Sequence, residues 1–432
     1  MLTYEQALKR ILAATPSPRV VVARLNESLG LVLARPITAR CDLPPFDNSA
    51  VDGYAVRLPA APAAPSPNGH APHAILRIVG AAEAGRPFGA VVRPGEAVRI
   101  LTGAQVPEGA DAVVMQEHVV RQDRQLVIRH RPAAGQHIRR CGEDLRRGAR
   151  ILKAGTLLRP QEIGLLAAIG VARVPVYPRP TVAILTTGDE LQRPGRRLKS
   201  GHIYESNGPL LRALVRQVGA RAMDLGVGRD RLASLIRRVH RGLACDVLVI
   251  SGGVSVGDKD MVRSAVARCG VRQLLWQVNI KPGMPLFVGA HRPAYRACRV
   301  QLGAGRPACR VQLGAGRRTL VFGLPGNPVS AFVTFEEFVK PALHRLMGRG
   351  WQDPYAEPAV LTEELRLSRT RRTHFIRVRC SQHNQLVAEP LDGQGSHRLR
   401  SLVEADGWIR IVSGDSPWPA GTQVSVKRES VR

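Results

Sequence analysis

Val247-Leu248-Val249-Ile250-Ser251-Gly252-Gly253-Val254-Ser255-Val256-Gly257-Asp258-Lys259-Asp260 is the stretch whose reading decides the fold. Its first four residues form an apolar run short enough for a strand buried on both faces, as in a parallel sheet, and the run stops at Gly252-Gly253. Beyond the loop, Val262, Ala265, Val266 and Cys269 recur at helical spacing, so the segment reads strand, glycine turn, helix. Such a turn offers backbone N–H groups beside the positive end of a helix, a setting that suits an anion. Ser251 and Ser255 add hydroxyls, and Asp258 and Asp260 add carboxylates able to handle a proton or a cation. Taken alone, the stretch is equally compatible with a plain turn whose aspartates cap a helix.

Its neighbours favour a site. Thr186-Thr187-Gly188-Asp189-Glu190 follows the buried run Val182 to Leu185, while Lys281-Pro282-Gly283 and Leu324-Pro325-Gly326-Asn327-Pro328 end two more apolar segments. Four polar, glycine-bearing turns at the ends of successive strands predict one rim of an open α/β sheet, where ligands bind. Between these turns the period alternates. A strand over 181–187 is followed by a helix over 207–218, a strand over 221–227 and a helix over 230–243, a βαβ series that implies a doubly wound sheet.

The 432 residues suffice for about three domains. Net charge is +29, but of 63 basic residues only seven are lysines, and the arginines are dispersed over the whole length. With aromatics at 4% there is no basic, aromatic-interleaved patch of the kind that marks nucleic-acid binding. The charge suits small anionic substrates instead. Seven scattered cysteines, none in a Cys-x-x-Cys pair, argue against a disulfide framework or a zinc finger. Without an 18-residue apolar run or a signal-peptide core, the expected setting is the reducing cytoplasm, with no membrane partner.

The first helix is announced by the capping box Thr3-Tyr4-Glu5-Gln6 and the stripe Leu8, Ile11, Leu12. A proline-bound loop, Leu43 to Ala55, then carries Asp47, Asn48 and Asp52. Pro59 to Ala74 has nothing to bury and reads as a surface loop. Short strands between Ala74 and Pro132 suggest a compact β domain, in which Thr102-Gly103 is either an ordinary turn or a ligand contact. A helix is expected over 160–170, and another from about Val329 to Met347. The decapeptide 297–306 recurs unchanged at 308–317, a tandem duplication read as an extended surface loop. After Trp351 the pattern is β again, a separate small barrel or sandwich.

Together, Pro45 to Tyr54, Thr187 to Leu191, Ser251 to Asp260, Lys281 to Gly283 and Leu324 to Ser330 resemble, in order and spacing, the MoeA family of molybdopterin molybdenumtransferases; the catalytic domain of gephyrin is similar. The resemblance runs from about residue 3 to about 428. It implies a homodimer that inserts molybdenum from molybdate into adenylated molybdopterin and releases AMP. It also implies a multi-domain α/β plus β fold in four parts: a linker domain (1–45 and 137–175), an inserted β domain (46–136), a three-layer α/β molybdopterin-binding domain with a mostly parallel sheet (176–346), and a C-terminal β-barrel (347–432).

In the family the active site lies between the α/β domain of one subunit and the inserted domain of the other. Carried over by motif, the catalytic set is Asp52, Asp144, Glu190, Asp230, Asp260 and Lys281. Substrate contacts fall on Thr102, Gly103, Asn207, Gly252, Gly253, Ser255 and Gly257, and further on Pro282, Gly283, Pro325, Gly326, Asn327 and Ser330. Lys281, Arg372 and Ser396 match an anion contact for molybdate, and Glu190 with Asp260 match ligands of Mg²⁺. Carboxylates of this kind can hold Mg²⁺ at a phosphoanhydride and assist its cleavage. Gln277 and Met284 stand where the family often has lysine, so two cations for molybdate are missing. Two other functions fit parts of the pattern: an adenylyltransferase making the adenylated pterin, itself a candidate partner, and a pterin-binding protein without catalysis.

Overall fold

The computed structural model describes residues 1–57, 74–253, 261–292, 318–367, 372–382, 384–412 and 417–428. The loop expected over 59–74, Ser255, Gly257, Asp258, Asp260 and the duplicated decapeptides fall, but for Ala74, outside the described residues. The chain forms two compact units, one of residues 1–21, 30–34 and 176–432, the other of 22–29 and 35–175.

Helix α1 (Tyr4–Ala14) starts where the capping box places it: the Gln6 amide donates to Thr3 Oγ1 at 3.3 Å, and the Thr3 amide to Gln6 Oε1 at 3.1 Å. Tyr4, Ala7, Leu8 and Ile11 are its buried stripe.

In the smaller unit, strands β1 (Gly53–Val56), β2 (Ala74–Ala82), β3 (Glu96–Ile100), β4 (Ala112–Met115), β5 (Val119–Gln122) and β6 (Gln125–Ile128) form one sheet in the order β4-β1-β3-β2-β6-β5. Both faces are covered. Tyr54, Val56, Ala112 and Val114 enter one apolar cluster, and Ala55 and Val113 the other, the period-2 alternation of a strand. Helix α2 (Pro160–Ala168) opens with proline at its first position, where no amide partner is lost.

The larger unit holds the α/β sheet. Strand β7 (Thr181–Thr187) is followed by α3 (Asn207–Val218), β8 (Arg221–Gly228), α4 (Leu232–Gly242), β9 (Val247–Ser251), α5 (Met261–Arg268) and β10 (Arg272–Trp276). Strands β11 (Ile280–Lys281), β12 (Phe287–His291) and β13 (Thr319–Leu324) follow. Sheet order is β8-β7-β9-β13-β12-β10, with β8, β7, β9 and β13 mutually parallel and the other edge antiparallel. Val182 and Ile184 of β7 face α1 and α3, whereas Ala183 and Leu185 face α4 and α5, so the sheet is sandwiched between helical layers. The turns after β7, β9 and β13 share the carboxyl rim, as expected.

Lys281-Pro282-Gly283 departs from that expectation. It follows β11, which belongs to another sheet and pairs in parallel with β15 (Thr373–Gln382). This short strand is apolar only at Ile280, too little to tell which sheet it joins.

The helix expected near Val329 to Met347 is α6 (Pro328–Thr334), a π turn over Phe335–Val339, and α7 (Lys340–Leu346). The π turn buries Glu336 and Glu337 side by side, which a sequence periodicity of 3.6 does not foresee. Strands β14 (Glu357–Leu361), β15, β16 (Leu386–Pro390), β17 (Gly407–Val412) and β18 (Gln423–Arg428) then close a barrel, β15 pairing with both β16 and β17.

Candidate functional site

Two neighbouring parallel strands, β9 and β13, end together, and their turns build a cradle. The Gly252 amide donates to the Leu324 carbonyl at 3.1 Å, and Ser251 Oγ donates to the Pro325 carbonyl at 3.2 Å. From the start of α3, Asn207 Nδ2 donates to Ser251 Oγ at 2.9 Å and to the Gly326 carbonyl at 2.7 Å, tying helix and both turns into one unit. Asn207 Oδ1 and Thr187 Oγ1 are buried there without a hydrogen-bond partner. Unsatisfied polar atoms at the open rim of a sheet are what a bound ligand would engage. Backbone geometry adds to this. Gly252 has φ +94°, and a Cβ on it would lie 2.5 Å from the Thr187 carbonyl oxygen. Among the described residues, a Cβ on Gly326 would meet nothing closer than Gly252 Cα at 3.8 Å.

Next along the rim, the turn after β7 and the end of β8 bring three acids together. The Asp230 amide donates to Asp189 Oδ1 at 3.3 Å, and Arg229 Nη1 donates to the Asp189 carbonyl at 2.8 Å. Burial, then the nearby Asp189 and Glu190 carboxylates, push the Asp230 carboxyl above the usual carboxylate range. Glu190 is exposed. Of the two residues matched to Mg²⁺, Asp260 is outside the described residues, and among these no three His, Cys, Asp or Glu side chains are grouped to hold a metal.

Gly283 packs on α6, where a Cβ would sit 2.7 Å from Thr334 Cγ2. Ser396 accepts twice at the start of α6, its Oγ from Asn327 Nδ2 at 3.0 Å and its carbonyl from the Val329 amide at 3.2 Å. Ser330 is buried, and its carbonyl accepts from Thr334 Oγ1 at 2.7 Å. Lys281 lies opposite His374 in the β11–β15 register, with Arg372 just before that strand.

Asp52 and Asp144 belong to the smaller unit. Both the Thr102 amide and its hydroxyl donate to Asp52 Oδ1 at 2.7 Å, and they hold this carboxyl below the usual range. Thr102 thus serves to orient Asp52, and Gly103 adopts φ +79° in the same turn. Asp144 is exposed, its amide donating to the Leu43 carbonyl. Asp47 of the proline-bound loop accepts from the Cys141 amide and Arg140 Nη1, both at 2.7 Å, which ties that loop to the segment carrying Asp144. Thr187 and His374 both have orphaned buried atoms; sequence marks Thr187 only as part of a polar turn, and a histidine inside a strand carries no local signal.

Comparison with known proteins places these features. Residues 2–170 match the MoeA N-terminal region (domain I and II), 183–345 a probable molybdopterin binding domain, and 358–428 the MoeA C-terminal region (domain IV). A molybdopterin molybdenumtransferase of Haemophilus influenzae is 33% identical, covering 99% of this chain and 98% of the relative. Molybdopterin molybdenumtransferase 2 of Mycobacterium tuberculosis is 36% identical over 94% of this chain and 95% of the relative. Among solved structures, the molybdopterin biosynthesis MoeA protein of Pyrococcus horikosii superposes with a TM-score of 0.75 at 29% identity, covering 99% of both chains. With three consecutive family regions matched and full-length relatives above 30% identity, the chain belongs to the MoeA family of molybdopterin molybdenumtransferases.

Proposed function

We propose that this protein inserts molybdenum from molybdate into adenylated molybdopterin and releases AMP, giving molybdenum cofactor. The observation that supports this most is the cradle of Gly252, Asn207 and Gly326 with the acid group of Asp189, Glu190 and Asp230 on the same rim. The unpaired Asn207 Oδ1 suits an N–H edge of such a substrate, and the unpaired Thr187 hydroxyl can donate to one of its oxygens. Lys281, Arg372 and Ser396 are the residues we assign to molybdate, with Gln277 and Met284 supplying no further charge.

Glu190 and Asp260 are the residues proposed to hold Mg²⁺, which would neutralise phosphate charge when bound. A dication fits the local chemistry, because the acids around Asp230 already repel one another. Asp52, oriented by Thr102, and Asp144 are proposed to act from a second subunit, which makes the working form a homodimer in the cytoplasm. We also retain the four-domain division given above: the inserted β domain falls within the smaller compact unit and the α/β and C-terminal domains within the larger, while the linker domain's residues are divided between the two.

Incubating the pure protein with adenylated molybdopterin, Mg²⁺ and molybdate, and measuring both AMP and cofactor, tests the reading. AMP formation that depends on molybdate is the expected result. Binding without AMP would favour a non-catalytic pterin-binding role. Glu190→Gln is expected to slow single-turnover AMP release by about 10²-fold with an unchanged melting temperature. Light scattering is expected to give twice the monomer mass of 46.9 kDa; a fully active monomer would remove the two-subunit site.

A further inference from the structure

Strand β15 sets a histidine between two cations. Successive strand residues point to opposite faces, and here Phe375 joins the core shared with the α/β sheet while Ile376 and Val378 line the barrel core. His374 therefore shares the barrel-side face with Ile376, and the same alternation, carried back to the strand's edge, puts Arg372 there too. Parallel partners in register also share a face. Ile280, opposite Thr373, enters the Phe375 core, so Lys281, opposite His374, falls on the histidine's side. Across the other edge the partner of His374 is Ile411, which is uncharged; Arg410 beside it is engaged with Asp353 and lies over the Tyr4 and Tyr355 rings.

His374 is only 2% exposed, and its Nε2 is buried with no hydrogen-bond partner. Burial, then Lys281 and Arg372, hold the imidazole down at about 4, so it is neutral at pH 7. A buried, unpaired ring nitrogen is costly unless something arrives to pair with it. A doubly charged oxyanion between Lys281 and Arg372 would offset the cations' share of that effect, and by offering the buried ring nitrogen a charged acceptor it would compensate the burial of an imidazolium.

We propose that His374 is a third, proton-linked contact of an oxyanion seat with Lys281 and Arg372, taking one proton from solvent as a tetrahedral dianion binds. This rests on the molybdate reading given above and adds to it a residue and a coupling. The balance is simple: one proton leaves the buffer, the imidazole becomes an imidazolium, and no covalent bond forms or breaks.

Titration calorimetry of the full chain with molybdate, in buffers of different ionisation enthalpy at pH 7, reads the proton count directly. We expect uptake of about half a proton or more per anion, and affinity about tenfold higher at pH 6 than at pH 8. In His374→Gln both effects should vanish while weaker, pH-flat binding through Lys281 and Arg372 remains. Should that variant misfold, His374→Asn and the imidazole ring shifts of the intact protein, followed by NMR with and without molybdate, provide the same reading. Tungstate or sulfate giving the same uptake supports the seat as one for tetrahedral dianions generally; molybdate alone doing so supports a selective one.

Enthalpies independent of buffer, or uptake undiminished in His374→Gln, would overturn the proposal. AMP release measured on the same preparation separates the two claims. Release without proton uptake sinks only the histidine's role, whereas no release at all sinks the functional reading. The free protein gives one more check. Because the ring is held neutral when folded and titrates near 6.5 when unfolded, stability should fall as pH drops from about 6.5 toward 4, and this slope should flatten in the variant.

Discussion

Glu337→Leu is expected to destabilise the larger unit by about 3–5 kcal/mol. Glu337 is 3% exposed and accepts from Tyr4 Oη at 2.9 Å, Tyr355 Oη at 3.0 Å and Lys427 Nζ at 3.0 Å. Leucine fills the volume but strands three donors, one of them a buried ammonium. Glu336 also contacts Lys427 at 3.0 Å, yet it is shared with Lys340 at 2.7 Å and cannot replace the lost partner. Burial works against the Glu336 charge, but Lys427 and Lys340 together keep its carboxyl below the usual range. Burial and the Glu337 charge raise both tyrosines, so each hydroxyl remains a donor throughout the neutral range. Glu337→Gln retains one acceptor and should cost less, about 1–3 kcal/mol. Urea denaturation followed by tryptophan emission measures this cleanly, because Trp276, Trp351, Trp408 and Trp418 all lie in the larger unit. A loss below about 1 kcal/mol for the leucine variant would mean that the donors find other partners.

The second large effect is expected at the cradle, where two glycine-to-alanine changes should behave differently. Gly252→Ala puts a methyl 2.5 Å from the Thr187 carbonyl oxygen on a backbone at φ +94°, so the turn must move. A shift of about 1 Å in a positioning loop can lower turnover by about 10²-fold, and we expect that loss together with a lower melting temperature. Among the described residues, Gly326→Ala meets no atom closer than 3.8 Å. Its melting temperature should stay within about 2 °C of the parent, while the dissociation constant for adenylated molybdopterin rises about tenfold or more, because the methyl occupies ligand space. If Gly326→Ala bound the substrate normally, the ligand would lie elsewhere on the rim.

The layout of this rim is legible in sequence because each part of it is local. Val247 to Ile250 can only be a doubly buried strand, Gly252-Gly253 can only end it, and the same logic places Thr187 and Leu324 at parallel strand ends. Helix α1 is likewise written in four residues, Thr3 to Gln6. What sequence hides is non-local. Lys281 reads as the end of one more strand of the α/β sheet, yet only pairing with Thr373-His374, some ninety residues on, decides that β11 joins the barrel. The inward turn of Glu336 and Glu337 goes with a π turn, and their buried partner Lys427 comes from the last strand of the barrel, some ninety residues on. Asp52 could be read as a ligand candidate, but its orientation by Thr102 comes from a residue fifty positions on.

The Glu337 contacts have a consequence for synthesis on the ribosome. Besides Tyr355, its partners are residues 4 and 427, separated from it by 333 and 90 positions, so one buried carboxylate joins the earliest and the latest parts of the described chain. At about 5–20 residues per second, Lys427 is added roughly 5–20 s after Glu337. Throughout that interval the nascent α/β region carries an acid that neither its own helices nor Tyr4 can neutralise. Vectorial folding of this unit therefore stays open until its final strand has left the exit tunnel, and premature termination before residue 427 would leave a folded-looking intermediate with an unmatched charge at its centre.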